Sequence, residues 1–450
     1  MSSKAAGKKP AKQPAKKAKK RQKRRGRPAP PEYNMLLTAT LCLLALGAVM
    51  VFSASSTTRV LQDGGLSDSA FYLKLTLMFG AVGLVIMHLV ARHGLKAVRE
   101  LTPVILGVSF FLLLAVLAVG TEVNGASRWI GGGFLQIQPS EIAKVALILY
   151  GADLLANKPK RARSIEGFMP FLVVVGISCV LIMAEPDMGT TMVITFAVAA
   201  TLVAAGARPV DLGKIALVIG ALALLMAVIE PYRMARLTAF LNPTADAAGA
   251  GFQAAQAKIA LGSGGLFGVG IGNGVQKAFY LPEAHTDMIS AVIGEELGLV
   301  GIAGVVGLFG MFGYAGFKTA QKARDNYSKI LVAGLTSLIL VQATINLFAV
   351  MGLAPLTGVP LPFVSYGNSS LMACLFSVGL ILNVAGGGRA AARKSTPTRA
   401  GKLRVVEGGR SPARERSRAS GARKAKSGGG GGGNRGARRA RHGGRRRASG

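Results

Sequence analysis

Ten apolar stretches, most of them close to 20 residues long, constrain this chain more than any other feature. About 20 apolar residues wound as a helix cross a ~30 Å hydrocarbon core. With no water there to satisfy the backbone, only helices and closed barrels are viable. The stretches lie at residues 35–55, 72–91, 101–120, 139–156, 168–184, 188–206, 212–229, 288–316, 328–352 and 363–385. The fold class expected is an all-α integral membrane protein of about ten transmembrane helices. A length of 450 residues would otherwise suggest two or three soluble domains.

A formal charge of +34 suggests a nucleic-acid binder until it is located. Residues 1–32 hold 13 Lys and Arg against one acid, and residues 389–450 hold 20 against two. Between them, 21 bases face 17 acids, so the body is nearly neutral. Thirteen of those 21 bases fall on short loops of one side: Arg92, Lys96 and Arg99; Lys158, Lys160, Arg161 and Arg163; Arg208 and Lys214; Lys318, Lys322, Arg324 and Lys329. Such an excess marks the cytoplasmic side. Both termini are therefore expected in the cytoplasm, with a large extracellular loop between helices seven and eight. Three parts follow: a disordered basic tail at 1–32, a membrane domain at 33–388, and a disordered Arg/Gly-rich tail at 389–450. The tails are expected to meet anionic lipid headgroups, at about 1 kcal/mol per base near the surface. No specific nucleic acid is expected. The first stretch follows 32 polar residues and runs a full span, which predicts an uncleaved helix instead of a signal peptide.

Cys42, Cys179 and Cys374 lie in separate stretches without paired spacing, as small buried hydrophobes do. Chemistry is expected instead on the two longest outer loops. The first contains NGASRWI (124–130), with Arg128 beside the only tryptophan, Trp129. It leads into QPSEIAK (138–144), where Pro139 and Ser140 suit a helix start. Glu141 and Lys144, three apart, share a face and neutralise each other at depth. Two readings stay open: an interfacial aromatic belt with a structural ion pair, or a cationic pocket for a phosphorylated sugar ligand. In EPDMGTT (185–191), Asp187 is expected to cap the sixth helix.

The second loop carries RMARLTAFLNP (233–243), a helix expected around 252–261, and a glycine cluster at 262–274. The cluster has neither GxGxxG nor GK[ST] spacing and no preceding strand, so it is a turn and not a nucleotide loop. Arg233, Arg236, Lys258 and Lys277 are cations available to an anionic ligand. In PEAHTD (282–287), Glu283, His285 and Asp287 alternate just before span eight. Thr286 is a plausible N-cap, which places Asp287 in the first helical turn. Helix capping and proton transfer both suit that arrangement. With His285 the sole outer histidine, zinc lacks ligands. Glu295, Glu296, Gln342 and Asn346 are expected to face the bundle interior.

Together GAVMVFSAS (47–55), NGASRWI, QPSEIAK, EPDMGTT, FLNP (240–243), the glycine-rich run 251–277, LPEAHTDMISAVIGEELG (281–298) and LPFVSYGNSSLMACL (361–375) resemble the SEDS family of shape, elongation, division and sporulation proteins, typified by FtsW and RodA. The resemblance covers about residues 35–385, and PEAHTD and NGASRWI sit closer to its cell-division branch. It implies an enzyme of the outer membrane face, a peptidoglycan glycosyltransferase polymerising lipid II. On that reading Asp287 is the catalytic base. Arg128, Trp129, Lys144, Arg233, Lys258, Lys277 and His285 are candidate substrate-binding residues, with Mg²⁺ or Mn²⁺ an expected aid to the leaving phosphates. Lipid II, a class B penicillin-binding transpeptidase and other divisome proteins are the implied partners, at a bacterial plasma membrane and its septum. Met288 stands where the family has Phe, and Asn368 where it has Gly. A lipid II flippase and an elongation polymerase are the alternatives.

Overall fold

The structure is a computed structural model that describes residues 29–62, 68–123, 126–132, 135–157, 164–229, 234, 236, 238, 240–242 and 250–387. Most of both basic tails and Arg233 lie outside the described residues, as do the tail readings that rest on them. A long helix occupies each of the ten apolar stretches. In order these are α1 (Pro31–Gln62), α2 (Phe71–His93), α3 (Leu95–Val119), α4 (Pro139–Asn157), α5 (Ile165–Ala184), α6 (Met188–Ala205) and α7 (Pro209–Ile229). After α8 (Ala250–Ser263) and the short α9 (Gln276–Phe279) come α10 (Ile289–Gln321), α11 (Asn326–Val350) and α12 (Asn368–Ala385). Among the described residues, eight of them are long and apolar enough to cross a membrane; the other two are α4, with Glu141, Lys144 and Asp153, and α7.

Large side chains such as Phe111, Val180 and Leu217 remain 69%, 69% and 75% exposed on these helices. Water would penalise such a surface, whereas lipid matches it. Cys42 shares that outward setting and Cys179 is half-buried against the core, so of the three cysteines only Cys374 is fully buried as expected. The core instead runs through α4 and α11, whose buried residues cover every side of the helix, as a central position requires. α11 packs against α6, α10 and α4, α10 lies along α1, and α12 lies along α2.

The loop between α3 and α4 holds a small antiparallel sheet, β1 (Thr121–Val123), β2 (Ala126–Gly132) and β3 (Leu135–Ile137), an addition to the all-α expectation. Ser369, in the first turn of α12, ties this sheet down. Its hydroxyl accepts from the Gln138 N–H at 3.0 Å and donates to the Gln136 carbonyl at 3.3 Å. Residues 363–367, expected within the last span, form a turn ahead of α12. Asn368 has no positive φ, so replacing glycine there costs the backbone nothing.

α10 is broken at Gly298, whose φ of 65° and ψ of −161° suit glycine alone. The glycine cluster repairs the break. Val269 and Gly270 donate to the carbonyls of Glu295 and Glu296, each at 3.0 Å. Beyond the break, Leu299 and Val300 donate to the carbonyls of Gly265 and Leu266 at 3.0 and 3.1 Å. Four of the backbone groups that the break frees are thereby bonded, as the interior of a membrane protein demands.

Candidate active site

Asp287 ends the turn 281–288 that feeds α10 and lines a pocket with Met288, Asn346, Ala349, Val350 and the segment Leu356–Val359. The sequence reading put Thr286 at the N-cap and Asp287 in the first helical turn. Both are corrected here: α10 starts at Ile289, and its cap position is Met288, without a side-chain cap. The Thr286 hydroxyl turns back instead, 2.9 Å from the Glu283 carbonyl, 3.1 Å from Glu283 Oε2 and 3.2 Å from Asp287 Oδ1. Glu283 reaches that geometry with φ at 54°, an uncommon conformation for a residue with a side chain. Two carboxylates thus sit about one hydroxyl.

Asp287 is half-buried. Burial, then the negative charge of Glu283, push its carboxyl up to about 6, against the opposing pull of the Thr286 hydroxyl and the Arg236 charge. Arg236 donates to the Leu356 carbonyl at 2.9 Å, which holds its guanidinium on the pocket wall. Across the pocket, Gly358 adopts φ 73°, and a Cβ there would lie 3.9 Å from Asp287 Oδ2. The missing side chain leaves that face of the carboxylate open.

His285 belongs to the frame of the turn. Its ring lies 4.3 Å from Tyr72 and 5.6 Å from Tyr366, and those two rings stand 4.8 Å apart at 75°. The His285 carbonyl also accepts from the Tyr366 N–H at 2.9 Å. The turn is therefore fastened to the start of α2 and to the SYGN segment.

The candidate cations are dispersed. Lys144 pairs with Glu141 at 2.8 Å and donates to Gln342 Oε1 at 2.9 Å, all three buried. Lys277 is buried, 2.5 Å from Glu296 Oε1 and 2.9 Å from the Ser53 hydroxyl, joining α9 to α1 and α10. Both charges are matched inside the bundle. Arg128 crosses from β2 to the turn after α5, donating to the Glu185 carbonyl at 3.1 Å and to the Pro186 carbonyl. Trp129, next on β2, is half-buried, and its carbonyl accepts from the Thr121 hydroxyl at 3.1 Å. Lys258 is exposed on α8 and runs over Gly352, just beyond the end of α11. Arg233 lies outside the described residues. Arg236, a cation that the sequence reading did not match to a carboxylate, has its charge acting on Asp287.

At the neighbouring turn, Asp187 caps α6 as expected, accepting from the Thr190 N–H at 3.0 Å. Glu185 is buried, and among the described residues neither of its carboxylate oxygens has a hydrogen-bond partner. Burial and the Asp187 charge push it up to about 8, Arg128 opposing, so it is mainly neutral at pH 7.

Residues 33–389 match the model of the FtsW/RodA/SpoVE family, described as cell cycle proteins. A relative from Trichlorobacter lovleyi, called a probable peptidoglycan glycosyltransferase FtsW, is 40% identical over 360 residues, covering 79% of this chain and 94% of that protein. Stage V sporulation protein E of Bacillus subtilis is 41% identical over 356 residues, covering 78% and 96%. Two solved structures are similar at 28% identity. One, described as a peptidoglycan synthase complex coordinating polymerization and crosslinking, covers 78% of this chain and 96% of its own, with a TM-score of 0.63. The other is the rod shape determining protein RodA of Thermus thermophilus, covering 78% and 95% with a TM-score of 0.57.

Proposed function

Because the chain belongs to the FtsW/RodA/SpoVE family of cell cycle proteins, we propose that it is a peptidoglycan glycosyltransferase that polymerises lipid II into β-1,4 glycan strands at the outer face of the plasma membrane. The observation that carries the mechanism is Asp287. It is a carboxylate lining a pocket, open on one face, with its proton affinity raised and an arginine bonded to the facing wall. A base serves best when its pKa lies near the working pH, and a carboxyl near 6 is still mainly ionised at pH 7.

In the reaction a sugar 4-hydroxyl attacks the anomeric carbon of the donor from the face opposite the pyrophosphate. Asp287 takes the hydroxyl proton. The bond from the anomeric carbon to the phosphate oxygen breaks, its electron pair leaves with the pyrophosphate, and the anomeric configuration inverts. Charge growing on that leaving group needs cations already in place. Arg236 supplies one at the pocket wall, and Lys258 supplies a second at the outer rim of α11. Asp287 and Glu283, about the Thr286 hydroxyl, also match the one or two carboxylates Mg²⁺ commonly takes from a protein when phosphates and water fill the remaining positions. Bound there, the ion would neutralise pyrophosphate charge.

The likeness to a solved peptidoglycan synthase complex supports a partnership with a crosslinking enzyme, which we assign to a class B penicillin-binding transpeptidase within the divisome. We also assign both termini to the cytoplasm, where the basic tails would meet anionic lipid. Septal fluorescence of a tagged copy is the expected result, and lateral-wall fluorescence would favour an elongation role.

The deciding assay is polymerisation of lipid II by the purified full chain. Asp287→Asn is expected to make no polymer while reaching the membrane in normal amount. A chelator is expected to slow the wild type and leave the variant unchanged. Polymer made by Asp287→Asn at the wild-type rate would remove Asp287 as the base.

A further inference from the structure

α11 is buried nearly throughout, yet it carries two amides one turn apart, Gln342 and Asn346, each 2% exposed. A buried amide is costly unless all its polar groups are bonded. Gln342 meets that demand away from Asp287, donating to the Pro360 carbonyl at 3.0 Å and the Ser370 hydroxyl at 3.1 Å while accepting from Lys144. Asn346 meets it at the pocket. Its Nδ2 donates to the Asp287 carbonyl at 2.7 Å and to the Val359 carbonyl at 2.8 Å. Its Oδ1 accepts from the Ser290 hydroxyl at 2.5 Å. An amide has two hydrogens to give, and both are used.

Those three bonds reach the turn that presents Asp287, the first helical turn of α10, and the wall segment 356–359. Among the described residues, Asn346 is the side chain that bonds both the main chain of Asp287 and the wall opposite its carboxylate. Ser290 decides which end of the amide faces which partner: with its hydroxyl donating to Oδ1, Nδ2 must face the two carbonyls. We infer that Asn346 is a positioning residue for glycosyl transfer, setting the separation between Asp287 and the pocket wall. The inference rests on Asp287 being the base. Asn346 bonds the carbonyl and not the carboxylate, so it acts through Asp287 and touches no reacting atom.

Misplacement of a reacting group by about 1 Å can cost about 100-fold in rate. Asn346→Ala, assayed as the purified full chain on lipid II, is therefore expected to lower kcat about 100-fold with KM within about twofold of wild type, the signature of an effect confined to the transition state. Ser290→Ala keeps the amide but frees its orientation, so a smaller fall of about tenfold is expected. In the Asn346→Ala background the serine change is expected to add nothing, because its effect passes through the amide. Asp287→Asn, inactive in the same assay, is the reference.

Wild-type kcat in Asn346→Ala, with Asp287→Asn inactive, overturns the positioning role and leaves the base in place. A loss that only follows the folded fraction, or appears in KM, also overturns it. Should Asn346→Ala fail to fold, Ser290→Ala decides alone: a lowered kcat at unchanged KM supports the role, and wild-type kcat overturns it. Polymerisation by Asp287→Asn would instead remove the base reading on which the inference depends.

Discussion

Asp287 stands between opposing influences. Asp287 is half-buried and Glu283 is close, so the carboxyl resists ionisation; the Thr286 hydroxyl and Arg236 favour the charged form. The outcome, a pKa raised from 3.8 to about 6, fixes the direction of the pH dependence. Protonation removes the base, so kcat/KM is expected to be level above the raised value and to fall about tenfold per pH unit below it. A pH profile of lipid II polymerisation with an acid limb near 4, or with none, would contradict the assignment. The alternation of Glu283, His285 and Asp287 was legible as a constellation in the sequence, and so was the Glu141–Lys144 pair, which forms at 2.8 Å. The cap at Thr286 was not. Its hydroxyl is turned toward the Glu283 carbonyl and carboxylate, and the positive φ of Glu283 in that turn leaves no mark in the residue order.

At the scale of elements, the sequence identifies helices well and their interruptions poorly. The sequence reads as one apolar stretch at 288–316, yet α10 is two helices meeting at Gly298. The partner that makes the break tolerable, the glycine cluster near 265–270, lies some thirty residues earlier, and hydropathy carries no trace of such pairing. A Cβ at Gly298 would sit 2.4 Å from the Gly268 nitrogen and 2.6 Å from the Leu266 carbonyl oxygen, at a φ that L-residues rarely adopt. The conformation alone costs about 1–3 kcal/mol, and the clash with backbone adds to that. Gly298→Ala is expected to lower the yield of folded protein and its thermal midpoint in detergent. Gly304→Ala, where nothing lies within 4 Å of the added carbon, is expected to leave both near wild type. Equal midpoints for the two variants would show that the junction tolerates a side chain.

For the whole molecule, the spans were legible because lipid demands long apolar helices, and the outward-facing Phe111 and Leu217 answer that demand. The convergence of residues from α10, α11 and the segments flanking them was not legible, since it depends on which helix faces which. The buried charges show a related pattern. Glu141 and Lys144 lie in the first two turns of α4, Glu295 and Glu296 near the start of α10, and Lys277 just ahead of it. Farther along α10 the packed residues are Val305, Phe309 and Phe312. Buried charge on these helices is therefore gathered toward the end of the bundle that holds Asp287, while Glu32, Thr201, Thr319 and Asn383 are buried toward the other. A hydrated sugar thus meets charged groups where Asp287 stands. Farther along α10 it would meet Val305, Phe309 and Phe312, which offer nothing in place of its water, so that helix favours work at its mouth over passage along its length.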